Sequence, residues 1–123
     1  MMQDDAKEYP MSLDLRKNSR VSCSIPALFR FPGEEPAESW GIVYDLSLGG
    51  AKVETRRSLR IGETVYVTFA VGEMLKFENI RTRVVWIVQK KGYFLAGVEF
   101  DATVDRNYLF EAIKYIIGTG PKG

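Results

Sequence analysis

The chain has 123 residues, of which 46% are hydrophobic and 27% charged, as expected of a single soluble globular domain. Its 17 basic and 16 acidic residues leave a net charge of only +1, so no overall field attracts a nucleic-acid backbone or an anionic membrane. It contains no histidine and one cysteine, which excludes an intramolecular disulfide and argues against zinc sites, Ser-His-Asp triads and Cys-His dyads.

Residues 1–12 form a polar segment of mixed charge that contains Pro10, so we expect a flexible N-terminal tail. We expect the folded domain to occupy residues 13–118, with a C-terminal tail at 119–123. Within the domain, short runs of alternating apolar and polar residues are separated by turn signals such as Lys-Lys-Gly. They predict six β-strands, at residues 21–31, 40–46, 51–55, 64–71, 77–89 and 93–100.

Individual turn, cap and strand-breaking residues add detail to the predicted fold. Pro26 has no N–H to donate, which favours an edge position or a bulge in the first strand. The second and third strands flank Ser-Leu-Gly-Gly and are predicted to form a hairpin with a glycine-rich tip. After the last strand, Asp105 is the expected cap of a helix that Gly118 ends, and its apolar positions are Tyr108, Leu109, Ala112, Ile113, Ile116 and Ile117. The sequence therefore predicts a mainly β protein, a six-stranded antiparallel β-barrel with a C-terminal α-helix.

Two short motifs carry most of the functional signal. Arg16 and Arg20 form an RxxxR motif before the first strand, and residues 45–50, Asp-Leu-Ser-Leu-Gly-Gly, form a DxSxxG motif at the hairpin tip. Arginine pairs at this spacing are common by chance, but the two motifs in this order and approximate separation resemble the signature of the PilZ family. The later strands and the terminal helix are also similar to that family, so the resemblance covers most of the chain.

The resemblance implies that the ligand is cyclic di-GMP and that Arg16, Arg20, Asp45, Ser47 and Gly50 line its site. The planar fork of arginine can contact O6 and N7 of a guanine together, and it binds phosphates through charge-assisted hydrogen bonds. The Asp45 carboxylate only accepts hydrogen bonds and suits the N1–H and N2–H donors of guanine, so it is the candidate for base selectivity. By the same resemblance, the ligand enters as a monomer or as a stacked, self-intercalated pair.

The remaining residues of the hairpin tip have structural alternatives. Ser47 offers a hydroxyl to a base, a ribose or a phosphate, but it could equally satisfy a backbone group of the turn. Gly49 and Gly50 permit positive φ and a close approach of the backbone to a flat ligand, or they serve the hairpin geometry alone.

Trp86 and Cys23 lie in predicted strands. We expect Trp86 to share a face with Val84 and Val88, where it either fills the core or presents a ring on which a guanine could stack. Cys23 is expected to point into the barrel as a small apolar residue.

The combined interpretation is a cyclic di-GMP receptor or adaptor of the bacterial cytoplasm. Its ligand is expected to clamp residues 16–20 onto the hairpin, and this change signals to an unidentified effector protein, for example in motility or exopolysaccharide machinery. No enzyme activity, metal or cofactor is expected, and no apolar run approaches the roughly 18 residues that cross a membrane. Two alternatives stay open: a PilZ-fold protein-interaction module without a ligand, and an oligonucleotide-binding barrel, which the small net charge disfavours.

Overall fold

The computed structural model of the protein describes residues 20–35 and 37–119. Six strands and one helix follow in chain order: β1 (Val21–Arg30), β2 (Glu38–Leu46), β3 (Gly50–Thr55), β4 (Thr64–Val71), β5 (Leu75–Lys90), β6 (Tyr93–Phe100) and α1 (Arg106–Thr119). All six predicted strands are present, and β4 and β6 have the predicted bounds. Arg16 and the expected tail at 1–12 lie outside the described residues, and Thr119, expected in the C-terminal tail, is the last residue of α1.

The strands form a closed antiparallel barrel in the order β1-β2-β3-β6-β5-β4. The barrel closes through a short ladder between β1 and β4 that begins where Leu28 pairs with Thr68. Pro26 lies outside this ladder and follows a register irregularity between Ser22 and Ile25, so its missing N–H leaves no gap in the closure. The predicted six-stranded barrel with a C-terminal helix is confirmed.

The alternation of β4 shows how the barrel is filled. Val65, Val67, Phe69 and Val71 are buried, and more exposed residues stand between them. Because successive side chains of a strand point to opposite faces, one face of each strand fills the interior and the other forms the outer surface. The outer face is therefore where ligand-binding side chains can be presented.

Helix α1 begins after the predicted cap. The Asp105 carboxylate accepts a hydrogen bond from the backbone N–H of Tyr108 at 3.1 Å, the arrangement of an N-capping residue. Gly118 does not end the helix, which continues to Thr119. The buried positions of α1 are Leu109, Ala112 and Ile113, whereas Ile117 is 47% exposed, so the packed face is narrower than the apolar pattern predicted.

A β-bulge interrupts the alternation of β2. Val43 pairs with Val53 and Asp45 pairs with Lys52, which leaves Tyr44 as an extra residue on β2. Without the bulge, Asp45 would point inward like Val43, because residues two apart share a face. With it, Asp45 faces outward and the next residue of β2 is buried.

A second bulge acts in the same way on β5. Val84 pairs with Val98 and Trp86 pairs with Gly97, so Val85 is the extra residue. Trp86 is thereby moved to the face opposite buried Val84, and the expectation that these two residues share a face is wrong. Trp86 does share its outer face with Val88, as predicted.

Candidate ligand-binding site

Four residues on four neighbouring strands form one line across the outside of the barrel. Asp45 on β2 pairs with Lys52 on β3, Lys52 pairs with Gly97 on β6, and Gly97 pairs with Trp86 on β5. We call this line the outer row. At about 4.8 Å per strand spacing, it extends ~14 Å from Asp45 to Trp86.

Arg20 extends the outer row at its Asp45 end. One Nη of Arg20 donates a hydrogen bond to Oδ1 of Asp45 at 2.9 Å, although the two residues are 25 positions apart in the chain. The Arg20 side chain is 51% exposed and that of Asp45 is 15% exposed, so the pair adds little to stability but holds the two motifs together. A carboxylate has about four acceptor positions, so Asp45 can bind a guanine edge while it contacts Arg20.

The Ser47 hydroxyl is committed to the hairpin tip. Its oxygen accepts hydrogen bonds from the backbone N–H groups of Gly49 at 3.2 Å and Gly50 at 3.1 Å, and the hydroxyl donates to the Gly50 carbonyl at 3.2 Å. Ser47 is only 2% exposed. These contacts favour the structural alternative for Ser47, in which it fixes the turn that follows Asp45.

Gly50 of the hairpin tip is required for a reason that the motif did not reveal. Among the glycines in the described part of the chain, positive φ occurs at Gly33, Gly62, Gly72 and Gly92 and not at Gly49 or Gly50, so the expected use of positive φ at the tip is wrong. A Cβ on Gly50 would overlap the carbonyl oxygen of Val98 on the neighbouring strand β6. Gly50 therefore allows β3 and β6 to approach beside the hairpin tip.

Gly97 and Trp86 form the flat end of the outer row. The Trp86 ring occupies the space above Gly97, because a Cβ at Gly97 would overlap Nε1 of the indole. Gly97 is buried and the ring is partly exposed. The ring thus lies outside the core and offers a surface on which a planar base could stack.

Cys23 lies close to Asp45 on the adjacent strand. Its thiol is half-buried and donates a weak hydrogen bond to the Val43 carbonyl at 3.6 Å, so the side chain only partly enters the core. Burial, and secondarily the negative charge of Asp45, raise the pKa of Cys23 from 9.0 to about 11. At neutral pH the thiol is protonated and is a poor nucleophile.

Lys52 and Gly97 lie in the outer row, but the sequence reasoning did not name them as candidates. Lys52 alternates with buried neighbours on β3 and so faces outward, and its pairing with Asp45 follows from the hairpin register. This register includes the bulge at Tyr44, which period-two alternation does not reveal. Gly97 gives no motif signal, because its role is to leave room for Trp86.

Within residues 20–35 and 37–119, no group of three or more His, Cys, Asp or Glu could hold a metal ion. No helix in this part of the chain is both long enough and apolar enough to cross a membrane. Neither result identifies a ligand. The outer row contains Asp45 of the DxSxxG motif and contacts Arg20 of the RxxxR motif, whereas Ser47, Gly49 and Gly50 form the hairpin tip beside it.

Comparison with known proteins assigns the family. The model of the PilZ domain family matches residues 14–117, which is most of the chain. The chain belongs to the PilZ family. The PilZ resemblance noted from the two motifs is therefore confirmed, whereas a search of curated proteins gave no match.

Solved structures share the PilZ barrel at low sequence identity. The crystal structure of Escherichia coli YcgR in complex with c-di-GMP is 16% identical, with a TM-score of 0.63 over 81% of this chain and 43% of that one. The Bacillus subtilis inhibitor of motility, MotI/DgrA, is 16% identical, with a TM-score of 0.63 over 83% of this chain and 51% of that one. The isolated PilZ domain of YcgR with c-di-GMP is 14% identical, with a TM-score of 0.61 over 81% of this chain and 87% of that one. This chain thus spans about half or less of the first two proteins.

Proposed function

We propose that this PilZ domain is a cyclic di-GMP receptor that transmits ligand binding to a partner protein. The observation that carries the proposal is the 2.9 Å contact between Arg20 and Asp45, which joins the RxxxR and DxSxxG motifs at one end of the outer row. Two similar structures, the E. coli YcgR complex and its PilZ domain, contain c-di-GMP, which supports the same ligand here.

Each end of the outer row has a chemistry that suits guanine. At one end, Asp45 accepts from N1–H and N2–H of a base, while Arg20 is placed to contact O6 and N7 of a guanine or a phosphate oxygen. At the other end, the indole of Trp86 provides a stacking surface. Arg16, four positions before Arg20 in the sequence, is proposed to supply the second guanidinium, and Ser47, Gly49 and Gly50 are proposed to shape the tip beneath the ligand.

The proposed activity is binding without catalysis. The outer row and the adjacent Arg20 combine a carboxylate, a guanidinium, an ammonium and an indole. The whole chain has no histidine to serve as a general base near neutral pH. The nearby Cys23 thiol is protonated because its pKa is raised to about 11. These side chains suit recognition of an anionic, base-containing ligand rather than its cleavage.

Signalling is proposed to follow from the way the ligand joins two segments. RxxxR precedes β1, whereas Asp45 lies on the β2–β3 hairpin, so a ligand that contacts both segments fixes one against the other. A cytoplasmic effector that contacts this surface would then distinguish the bound from the free receptor. One similar structure is an inhibitor of motility, which makes motility machinery a reasonable first partner class to test, alongside exopolysaccharide synthesis.

The proposal is tested by titrating the protein with cyclic di-GMP, using calorimetry for affinity and backbone amide NMR for location. We expect chemical-shift changes at Asp45 and along the hairpin tip. Replacing Arg20 by Ala should weaken binding by about 1–3 kcal/mol, the usual cost of losing one bidentate base contact, or roughly five- to more than a hundredfold. Arg81→Ala is the matched control, because Arg81 is an exposed arginine that pairs with Tyr66 on β4, away from the outer row.

The proposed function is wrong if cyclic di-GMP causes no heat change and no shifts at residues 45–50. Equal losses of affinity in Arg20→Ala and Arg81→Ala would show that only general positive charge matters. In that case Arg20 would not be a specific ligand contact.

A further inference from the structure

We propose that Lys52 is a phosphate-binding residue of the same site, a role that neither sequence motif assigns. This inference rests on the proposed function, because it specifies how the anionic centre of cyclic di-GMP is held. Lys52 would add a third kind of contact to base recognition at Asp45 and stacking at Trp86.

The position of Lys52 in the outer row is the first argument. Lys52 lies directly between Asp45 and Gly97 in the cross-strand pairing, and Gly97 in turn pairs with Trp86. A ligand that contacts both ends of this ~14 Å row must pass over Lys52 and Gly97. In cyclic di-GMP, the bases are at the two ends and the phosphodiester ring is between them, so the phosphates are the groups that come nearest to Lys52.

The charge environment of Lys52 is the second argument. Within the described residues, no carboxylate oxygen is within 4.0 Å of the Lys52 ammonium, although Asp45 is its direct cross-strand neighbour. The Asp45 carboxylate is contacted by Arg20 instead. The nearest acidic residue along β3, Glu54, accepts a hydrogen bond from the Tyr44 hydroxyl at 2.8 Å. Lys52 is thus a cation in the middle of the row whose donors are available to an anionic ligand.

The shape of the surface beside Lys52 is the third argument. Gly97 has no side chain, and the Trp86 ring lies over it, so the row is low and flat next to the ammonium. A lysine presents a compact charge with three rotatable donors on a flexible stem, which suits a phosphate whose oxygens are not held in a fixed fork. Base recognition is left to the more rigid groups at the ends of the row.

The test compares cyclic di-GMP binding by calorimetry in four proteins: the unsubstituted chain, Lys52→Met, Lys52→Arg and Lys76→Met. Methionine keeps an unbranched stem and removes the charge. Lys76 is the matched control, because it is an exposed lysine that pairs with Ala70 on β4, outside the outer row. We expect Lys52→Met to bind about tenfold more weakly at low salt, as for loss of one charge-assisted contact. Lys52→Arg should stay within about twofold of the unsubstituted chain, because the positive charge is kept.

The salt dependence of the affinity distinguishes a phosphate contact of Lys52 from a packing effect. The tenfold gap between the unsubstituted chain and Lys52→Met should narrow as salt is raised from about 0.05 to 0.5 M, because exposed charge interactions are screened. The melting temperatures of all four proteins should agree without ligand, since Lys52 and Lys76 lie on the outer face of the barrel. Lys76→Met should bind as the unsubstituted chain does.

The outcomes distinguish the two proposals. Absence of binding by the unsubstituted chain would overturn the proposed function and the Lys52 assignment together. Unchanged affinity in Lys52→Met, or a gap that does not change with salt, would overturn the Lys52 assignment alone. An equal loss in Lys76→Met would also overturn it, because the effect would then come from total charge.

Discussion

Asp45 connects more of the candidate site than any single motif suggests. It contacts Arg20 directly, pairs across the hairpin with Lys52, and contributes its charge to the environment of Cys23. Its carboxylate therefore holds Arg20 at one end of the outer row and adds negative charge beside Cys23. Cys23 is not a proposed ligand contact, but its pKa is raised first by burial and second by Asp45.

Cys23 should react slowly with iodoacetamide at pH 8. Its pKa is raised from 9.0 to about 11, first by burial and second by Asp45, so its thiolate fraction is about a hundredfold below that of an unperturbed cysteine. Because the raised pKa favours the protonated thiol in the folded state, its contribution to stability is present below pH 9 and is lost as the pH rises through about 11.

The alkylation rate of Cys23, followed by mass spectrometry from pH 7 to 11, checks this expectation. Asp45→Asn should increase the rate, because it removes the smaller cause of the shift, but burial should keep the rate below that of the unfolded chain in urea. A rate at pH 8 equal to that of the unfolded chain would contradict the raised pKa.

At the scale of elements, two bulges decide which residues form the outer row. Period-two alternation was sufficient to predict β4 and β6 with their observed bounds. It was insufficient for Trp86, because the extra residue Val85 reverses the direction of every side chain that follows on β5. The corresponding bulge at Tyr44 turns Asp45 outward. The motifs named Asp45 as a candidate site residue, and only the observed register shows that it shares a row with Trp86.

Gly97→Ala should move the Trp86 ring and weaken cyclic di-GMP binding while leaving the barrel folded. The added Cβ would overlap Nε1 of Trp86, and a partly exposed side chain can move away more easily than backbone can. The measurement is tryptophan fluorescence in a Trp40→Phe background, because Trp40 is 67% exposed and would add its own signal. We expect a red-shifted emission and about a tenfold loss of affinity, as for one lost base–aromatic stack.

Gly118→Ala is the matched control for this experiment. A Cβ at Gly118 meets no atom within 4 Å, and Gly118 lies in α1, where alanine is a favourable residue. Its fluorescence and affinity should equal those of the Trp40→Phe parent. Unchanged emission and affinity in Gly97→Ala would show that Trp86 is not held over Gly97 or does not contact the ligand.

At the scale of the whole molecule, the buried residues that stabilise the fold are different from the outer-row residues that are proposed to bind the ligand. The composition and strand pattern were enough to predict the barrel and its terminal helix, because both depend on periodic burial that is visible in the sequence. The outer row depends on pairing between strands that are distant in the chain, so Lys52 and Gly97 could not be placed without the topology. Helix α1 packs mainly against β1 and β4 and touches β5 near its start, where Tyr108 contacts Phe77 and Lys76, about ten residues before Trp86 of the outer row.

Leu109→Ala should therefore lower the free energy of unfolding without changing the affinity of the folded protein for cyclic di-GMP. Leu109 is fully buried in α1, and removing a buried leucine side chain costs about 2–5 kcal/mol through lost apolar contact and the cavity left behind. Urea denaturation measures the first effect, and calorimetry at a temperature where the variant is folded measures the second. Ile117→Ala, on the same helix but 47% exposed, should change stability by only about 0.5 kcal/mol. If Leu109→Ala weakened the binding of folded molecules as well, the helix would be coupled to the outer row through the barrel, and the separation of stability from binding would be wrong.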